Sequence, residues 1–219
     1  MPKNLILISD THTQHEKIQK DLLDLYELYP DSILIHSGDI SYRGRLGEIK
    51  PFLIWFASLP FPHKILIAGN HDFLFEDNPT LAKQIIRDEF PEISYLENDG
   101  IEIDEIKFWG SPVTPRFYDW AFNKDEDIDE YWGLIPDDVN VLITHGPPYK
   151  ILDRTERGLN VGCKFLAERI PKLHNLKVHV FGHIHEASGM CEKDGVIFVN
   201  ASILDQDYEV KNFPILIKL

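Results

Sequence analysis

The chain has 219 residues, of which 43% are hydrophobic and 26% charged, and its formal net charge at pH 7 is -14. This composition is that of a soluble globular protein, and the acidic balance argues against surfaces for nucleic acids or anionic membranes, because both require basic patches. The chain has only two cysteines, and no apolar run reaches the roughly 20 residues that span a bilayer. We therefore predict a soluble cytoplasmic protein with a single domain over residues 1–219, without membrane attachment or stable nucleic-acid binding.

The first part of the chain alternates strands with helices. Continuous apolar runs predict strands at 4–9, 32–36 and 64–68, and apolar residues with helical spacing predict helices at 16–29 and 46–58. Successive β-α units are typical of a largely parallel sheet covered by helices.

Shorter elements follow in the middle of the chain. One helix and three strands are predicted, at 80–90, 93–97, 101–103 and 106–110. Asp99-Gly100 is a strong signal for the turn of a β-hairpin. Residues 116–120 and the acidic run 125–130 are predicted as a long excursion from the core, with the acidic run forming a solvated face.

Apolar strands resume in the last part of the chain. Strands are predicted at 139–144, 177–181, 196–200 and 215–218, with a helix at 162–170. No internal repeat or linker interrupts this pattern.

Polar side chains follow five of the predicted strands at the point where each strand ends. They are Asp10 and His12, Asp39, Asn70 and His71, His145, and His183 and His185. In open α/β sheets, ligands bind in the crevice outside the carboxyl ends of the strands. Carboxylate, amide and imidazole groups without a thiolate suit divalent metals such as Mn²⁺, Fe²⁺ or Zn²⁺, and argue against a closed structural zinc site.

These strand-end motifs, in this order, resemble the calcineurin-like metallophosphoesterase family. The matching motifs are Asp10-x-His12, Gly38-Asp39-(x)3-Arg43-Gly44, Gly69-Asn70-His71-Asp72, His145 and Gly182-His183-x-His185. The resemblance implies an α/β fold in four α/β/β/α layers, with two mixed sheets flanked by helices and the middle strands in the second sheet. It also implies metal-dependent hydrolysis of a phosphoester bond.

The resemblance further assigns ligands for two divalent metal ions, for which we expect Mn²⁺ first, with Fe²⁺ or Zn²⁺ as alternatives. One ion would be bound by Asp10, His12 and His185, the other by Asn70, His145 and His183, and Asp39 would bridge them.

Four further residues receive roles outside metal coordination. His71 is expected to donate a proton to the leaving alkoxide while metal-bound hydroxide attacks phosphorus, and Asp72 is expected to hold the His71 imidazole in the required tautomer. Arg43 could contact a phosphate oxygen, or serve in packing or a salt bridge. Trp120 could line the substrate pocket, together with Tyr118 and Phe122, or tie the excursion to the core.

A longer match narrows the expected substrate. Segments such as Trp120-Ala121-Phe122-Asn123 and Val161-Gly162-Cys163 resemble the metallophosphoesterase-domain-containing branch of the family, whose vertebrate members are associated with cyclic-nucleotide phosphodiesterase activity. Some members have glycine where this chain has His183, so we expect a complete dinuclear centre here. The expected partner is a small phosphoester, a cyclic nucleotide or a related diester.

Other functions remain open at this point. A phosphomonoesterase, including a protein phosphatase, would share the metal centre and differ only in the pocket. A nuclease is disfavoured by the acidic balance, and a non-catalytic scaffold by the intact motifs. The remaining histidines are expected to be structural, with His36 the strongest candidate for a direct role, and Cys163 is expected to be a packing residue.

Overall fold

Two large mixed sheets and one short parallel pair make up the strands of residues 3–219, the part of the chain that the computed structural model describes. The strands are β1 (Asn4–Ile8), β2 (Ile33–His36), β3 (His63–Leu66), β4 (Ile93–Tyr95), β5 (Asp99–Ile103), β6 (Ile106–Ser111), β7 (Thr114–Pro115), β8 (Asn123–Lys124), β9 (Val141–Thr144), β10 (Val178–Phe181), β11 (Gly189–Lys193), β12 (Val196–Asn200) and β13 (Ile215–Lys218). The α-helices are α1 (Gln19–Leu28), α2 (Leu46–Ser58), α3 (Phe73–Asp77), α4 (Pro79–Glu89), α5 (Ile128–Gly133) and α6 (Lys164–Arg169). Short 3-10 turns occupy His15–Ile18, Ile170–Lys172 and His185–Ala187.

The order of strands in the first sheet is β13-β1-β2-β3-β4, with β13 antiparallel to β1 and the other pairs parallel. The order in the second sheet is β11-β12-β10-β9-β6-β5, with antiparallel pairs only at its two edges. Both sheets are therefore mixed, and the predicted α/β class is confirmed.

Alternating side chains along each strand build three apolar cores. In β1, Leu5 lies between the two sheets, where it shares a core with Val178 of β10. Its neighbour Ile6 points to the opposite face and shares a core with α1, α2 and α4. On the far side of the second sheet, Leu142 of β9 packs with Trp132 of α5 in a third core. Three cores separate four layers in the order α/β/β/α.

Local signals fix the starts of two helices. The Glu48 carboxylate accepts the backbone N–H groups of Arg43 and Arg45 at the start of α2. The side chain of Asn78 accepts the N–H of Leu81 at 3.2 Å, and Pro79 occupies the first turn of α4. Both arrangements satisfy N–H groups that a helix start otherwise leaves unpaired.

The predicted hairpin turn at Asp99-Gly100 is wrong. Both residues lie inside β5, and the loop of the β5–β6 hairpin is Asp104-Glu105, with φ angles of 51° and 65°. Positive φ at both residues is what a type I′ hairpin loop requires. The Asp99-Gly100 signal misleads because β4, the strand before it, pairs with β3 in the first sheet, so no hairpin connects β4 to β5. The expectation that all the middle strands join the second sheet is wrong for β4 for the same reason.

The predicted excursion is only partly separate from the core. Its acidic side chains are exposed, but Ile128 and Trp132 of α5 are buried in the third core. The sequence pattern also missed α3 and the exposed edge strand β11, which are too short or too polar to show a clear period. Within residues 3–219, no helix has the length and apolar character that crossing a bilayer requires.

Candidate metal centre

The predicted site residues lie at one edge of the molecule, where strands of both sheets end. The N–H of Asp10 donates to the carbonyl of Gly38 at 2.9 Å, and the N–H of Gly182 donates to the carbonyl of His145, also at 2.9 Å. A bridge between Ser9 and Ser202 links the end of β1 to the segment after β12. The loops that follow five strands are therefore held against one another.

The backbone of this edge is unusual at four of the predicted metal ligands. The φ angles of Asp10, His12, Asp39 and His183 are 52°, 37°, 58° and 70°. A left-handed conformation is uncommon for residues other than glycine and costs about 1–3 kcal/mol each. Residues keep such a conformation only where the surrounding structure holds them in it. Here the left-handed backbone directs the four side chains towards one small volume.

Two glycines permit the close approach of these loops. A Cβ atom at Gly69 would collide with the Asp39 side chain and backbone, and a Cβ atom at Gly182 would collide with the Asp10 carboxylate. Larger residues at either position would push the loops apart.

One group of side chains, here called the Asp10 cluster, consists of Asp10, His12 and His185. Its ligand atoms lie within 4.8 Å of one another, and Nε2 of His185 is 3.4 Å from Oδ1 of Asp10. The hydroxyl of Ser202 donates to Oδ2 of Asp10 at 2.6 Å, and the backbone N–H of His183 donates to the same carboxylate at 3.0 Å. These bonds fix the orientation of the Asp10 carboxylate.

A second group, here called the His145 cluster, consists of Asn70, His145 and His183. Nε2 of His145 is 2.8 Å from Oδ1 of Asn70. Asp39 lies between the two clusters, because its Oδ2 is 3.3 Å from Nε2 of His145 and 3.5 Å from Nε2 of His12. The structure therefore brings all seven predicted ligands together, with the predicted bridging carboxylate in the middle.

Backbone carbonyls set the tautomers of four histidines at the site. Nδ1 donates to a carbonyl oxygen in each case: His12 to Ser41 at 2.9 Å, His71 to Tyr42 at 2.8 Å, His145 to Ser37 at 3.0 Å and His185 to Asp205 at 3.0 Å. Because a carbonyl can only accept, Nδ1 carries the proton and Nε2 is left to face the centre. Metal-binding histidines are typically oriented by such a bond to the second ring nitrogen.

Charge at the site is divided between carboxylates and imidazoles. Although burial opposes a charged imidazole, Asp39 raises the pKa of His145 to about 9, and Asp10 does the same for His185. Burial lowers the pKa of His12 to about 4. Burial alone would raise the pKa values of Asp10 and Asp39, but the adjacent histidines outweigh it and lower both. In the absence of metal, two protonated imidazoles thus balance two ionised carboxylates.

The residues fit divalent cations. Nε2 of His12 is buried and has no hydrogen-bond partner within residues 3–219, an arrangement that is costly unless another group satisfies the nitrogen. The mixed oxygen and nitrogen donors suit a borderline or hard divalent ion. Each cluster, completed by Asp39, has the ligand types for one such ion.

His71 lies beside the centre and is half-buried. Its imidazole packs edge-on against the His12 ring, with centroids 4.7 Å apart, and stacks on Trp120 with centroids 4.1 Å apart. One ring nitrogen of His71 also lies within 4.8 Å of ligand atoms of His12 and Asp39. Geometry alone admits His71 either as a proton donor or as a further ligand.

The expected contact between Asp72 and the His71 imidazole is wrong. Asp72 is fully buried, and its carboxylate accepts the N–H of Gly69 at 2.8 Å, the N–H of Ile40 at 3.2 Å and the hydroxyl of Ser41 at 2.7 Å. These bonds turn the carboxylate away from its sequence neighbour and tie the loop after β2 to the loop after β3. Burial, with a contribution from Asp39, raises the pKa of Asp72 to about 6.

The two predicted substrate contacts have different surroundings. Arg43 is exposed, and within residues 3–219 no acidic side chain forms a salt bridge with it, so the salt-bridge alternative is not what the structure has. Trp120 is half-buried against His71, whereas Phe122 belongs to the core and Tyr118 is 75% exposed. Only one of the three aromatic residues therefore reaches the site.

Sequence reasoning missed Ser202, Asp205 and Tyr208. Ser202 lies just after the end of β12 at Asn200, so the strand-end pattern could have identified it. Asp205 and Tyr208 lie further along an irregular segment, where no local pattern points to the site.

Two other histidines are core residues, as the sequence indicates. Nε2 of His36 bonds to the hydroxyl of Thr11 at 3.0 Å, and Nε2 of His179 bonds to the hydroxyl of Thr144 at 2.8 Å. Burial lowers the pKa of each imidazole to about 3. Cys163 is also buried, in the third core.

Comparisons with known proteins find one matching family and several proteins of similar sequence. Residues 3–187 match the family model described as calcineurin-like phosphoesterase. The chain is 35% identical to human metallophosphoesterase domain-containing protein 1, over 98% of this chain and 70% of the human protein. It is 30% identical to the UPF0046 protein K07C11.7 of Caenorhabditis elegans, over 97% of this chain and 73% of that protein.

A solved structure shows the same fold at lower identity. Phosphopantetheinyl hydrolase (PptH) from Mycobacterium tuberculosis has a TM-score of 0.63 and 18% identity, over 94% of this chain and 91% of that one. Members of the calcineurin-like phosphoesterase family normally bind divalent metals. The match to this family supports hydrolysis of phosphoric esters. The chain belongs to the calcineurin-like phosphoesterase family.

Proposed function

We propose that this protein is a phosphodiesterase that uses two divalent metal ions to hydrolyse a small diester, with cyclic nucleotides as the leading candidates. The position of Asp39 carries the proposal. Its Oδ2 atom is 3.5 Å from Nε2 of His12 in the Asp10 cluster and 3.3 Å from Nε2 of His145 in the His145 cluster. A carboxylate shared in this way is what a pair of closely spaced cations needs.

When bound, two cations would supply a water acidified toward neutral pH and positive charge opposite the phosphoryl oxygens. The contribution of the chain is to hold its ligand atoms ready. Because backbone carbonyls fix Nδ1–H in His12, His145 and His185, their Nε2 atoms need no reorientation. Mn²⁺ remains the first expectation, with Fe²⁺ or Zn²⁺ as alternatives.

His71 is the proposed proton donor to the leaving alkoxide. Its Nδ1 is engaged by the carbonyl of Tyr42, so Nε2 is the atom that takes up and releases the proton. Stacking on Trp120 holds the plane of the ring. General-acid assistance of this kind typically contributes about 10²–10⁴ in rate.

The surroundings of His185 favour a diester over a monoester. A cavity of about 430 Å³ opens there, and its charged walls combine Arg154 and Lys211 with the carboxylates of Glu156, Glu186 and Asp205. Outside the metal ligands, the wall of this cavity has three carboxylates and two cationic side chains, so a monoester dianion that extends into it meets a small excess of negative charge. A diester carries a single negative charge and is repelled less.

Exposed aromatic side chains on the loop that carries Trp120 favour a substrate with a flat group. Phe117 and Tyr118 are exposed on the loop that carries Trp120, and their rings are 4.4 Å apart. Stacking of a nucleobase on an aromatic side chain is worth about 1–3 kcal/mol. A cyclic nucleotide combines such a base with a diester of single charge.

The test is a comparison of substrates on protein loaded with each metal. Protein stripped by a chelator is reloaded with Mn²⁺, Fe²⁺ or Zn²⁺ and assayed on an aryl diester, an aryl monoester, and 2′,3′- and 3′,5′-cyclic nucleotides. We expect kcat/KM for the diesters to exceed that for the monoester by at least about tenfold, a difference of about 1.4 kcal/mol in transition-state stabilisation. Preference for the monoester would favour the phosphatase alternative, and no turnover with any metal would favour a non-catalytic scaffold.

A further inference from the structure

The turn formed by residues 205–209, here called the Asp205 turn, has a strained tyrosine. The φ angle of Tyr208 is 60°. For a bulky side chain this left-handed conformation is a genuine outlier, and such outliers cluster at functional sites. Such a conformation persists only where neighbouring groups hold the residue in place.

Hydrogen bonds within the turn, and one from Gln14 outside it, fix its conformation. Oδ1 of Asp205 accepts the N–H groups of Asp207 and Glu209, both at 3.0 Å, and the N–H of Tyr208 donates to the carbonyl of Asp205 at 3.0 Å. The side chain of Gln14 donates to the carbonyl of Tyr208 at 2.5 Å. These bonds therefore hold Tyr208 in a conformation that a tyrosine does not prefer by itself.

The Asp205 turn is also part of the metal centre. The carbonyl of Asp205 accepts Nδ1–H of His185 at 3.0 Å and so orients a predicted metal ligand. One residue thus sets both the direction of the His185 imidazole and the position of the tyrosine that follows.

The ring of Tyr208 packs across the Asp10 cluster. Its centroid is 5.0 Å from that of His12 and 5.2 Å from that of His185, nearly edge-on to both at 67° and 74°. The centroid of the Tyr208 ring also lies 5.6 Å from that of the Tyr42 ring. Within residues 3–219 the Tyr208 hydroxyl has no hydrogen-bond partner, and it is not fully buried, so a ligand can reach it.

We propose that Tyr208 contacts the substrate, its hydroxyl donating a hydrogen bond to a non-bridging phosphoryl oxygen of an ester held at the Asp10 cluster. Packing alone would need only the ring, which phenylalanine supplies equally well. The O–H group of a phenol is a hydrogen-bond donor, whereas a phenylalanine ring has none. A donor aimed at an oxygen on which negative charge develops stabilises the transition state. The inference rests on the proposed function, since it takes the bound group to be a phosphoryl ester.

The test uses Tyr208→Phe, which keeps the ring and removes the hydroxyl. Binding of inorganic phosphate to the Mn²⁺-loaded full chain is measured by calorimetry, and metal content is measured on the same samples. We expect phosphate affinity to fall about tenfold, as for the loss of one hydrogen bond to a charged group, with metal content unchanged. The matched control is Tyr29→Phe. This partly exposed tyrosine lies beside Lys218, which pairs with Asn4 at the start of β1, whereas the predicted metal ligands follow the ends of the strands, so the variant should bind phosphate as the natural chain does.

Turnover provides a second measurement. If the hydroxyl acts on a non-bridging oxygen, Tyr208→Phe lowers kcat/KM by a similar factor on esters with good and poor leaving groups. Phosphate affinity equal to that of the natural chain would overturn the assignment of Tyr208.

The two proposals fail in different ways. Should the natural chain bind phosphate but cleave no diester, the proposed function fails while the two phosphate affinities still decide the role of Tyr208. Absence of phosphate binding by the natural metal-loaded chain would overturn both.

Discussion

The imidazole of His71 stacks on the indole of Trp120, with ring centroids 4.1 Å apart and 28° between the ring planes. The backbone next to the indole is held close to the site, because the N–H of the next residue, Ala121, donates to the carbonyl of Asn70 at 3.1 Å. The sequence offered Trp120 as a substrate contact or a core residue. From its place on the face of the proposed proton donor we infer a third role, that of positioning the imidazole.

Replacing Trp120 should therefore slow proton donation more than substrate binding. For Trp120→Leu we expect kcat on an alkyl diester to fall about tenfold, with a smaller fall on an aryl diester whose leaving group needs little protonation. Trp120→Phe keeps an aromatic face and should restore most of the loss. A rise in KM with unchanged kcat on both esters would instead identify Trp120 as a substrate contact.

Removing the His71 imidazole should spare the metals. His71→Ala is expected to retain its metal content and to lose about 10²–10⁴ in kcat on an alkyl diester, with much less lost on an aryl diester. The measurement is parallel metal analysis and kinetics. Because His71 also lies within ligand distance of His12 and Asp39, a loss of metal in this variant would make it a ligand and not a proton donor.

Metal loading should release protons. Asp39 and Asp10 raise the pKa values of His145 and His185 to about 9, so both imidazoles are protonated near neutral pH in the metal-free chain. Ligation requires neutral imidazole, and we expect about two protons to be released when the site fills at about pH 7.5. Calorimetry in buffers of different ionisation enthalpy measures this number. Metal uptake without proton release would contradict the charge balance described for the site.

Acid should destabilise the fold through buried neutral histidines. The pKa of His179 falls to about 3 on burial, below the ordinary value of about 6.5 in the unfolded chain. The unfolded state therefore binds the proton first, and stability is lost as pH falls below about 6.5, by about 2 kcal/mol at about pH 5 for this one group.

The variant His179→Gln tests that sign. It removes the titrating group and can still bond to Thr144, so its urea midpoint should fall less between about pH 7 and about pH 5 than that of the natural chain. Substitution of the exposed His174 by Gln is the matched control and should leave the pH dependence unchanged. An identical pH dependence for His179→Gln and the natural chain would refute the assignment.

The sequence predicted much of the site because the site is local to strand ends. His145 follows β9 directly and Asn70 lies shortly after β3, and the sheet geometry then brings such positions to one edge. Tyr208 could not be found this way, since its position depends on the hydrogen bond from its N–H to the carbonyl of Asp205 and on the bond that its own carbonyl accepts from Gln14, far away in the sequence.

The predictions that proved wrong also failed because tertiary contacts overrode a local signal. Asp72 follows His71 in sequence, but its carboxylate is captured by Gly69 and Ser41, so adjacency did not mean contact. The Asp99-Gly100 turn signal was overridden because β4 pairs with β3 in the first sheet. In both cases tertiary partners decided the outcome of a local signal.

The shared position of Asp39 between the two clusters is the central claim, and counting metals per chain tests it most directly. The natural chain reloaded with Mn²⁺ should bind about two ions and hydrolyse diesters, because the site has ligands for a pair of cations around one carboxylate. Asp39→Asn should bind at most about one ion tightly and lose hydrolysis of every phosphoester, whereas the exposed Asp99→Asn should match the natural chain. An Asp39→Asn variant that keeps both ions and full activity would contradict the account.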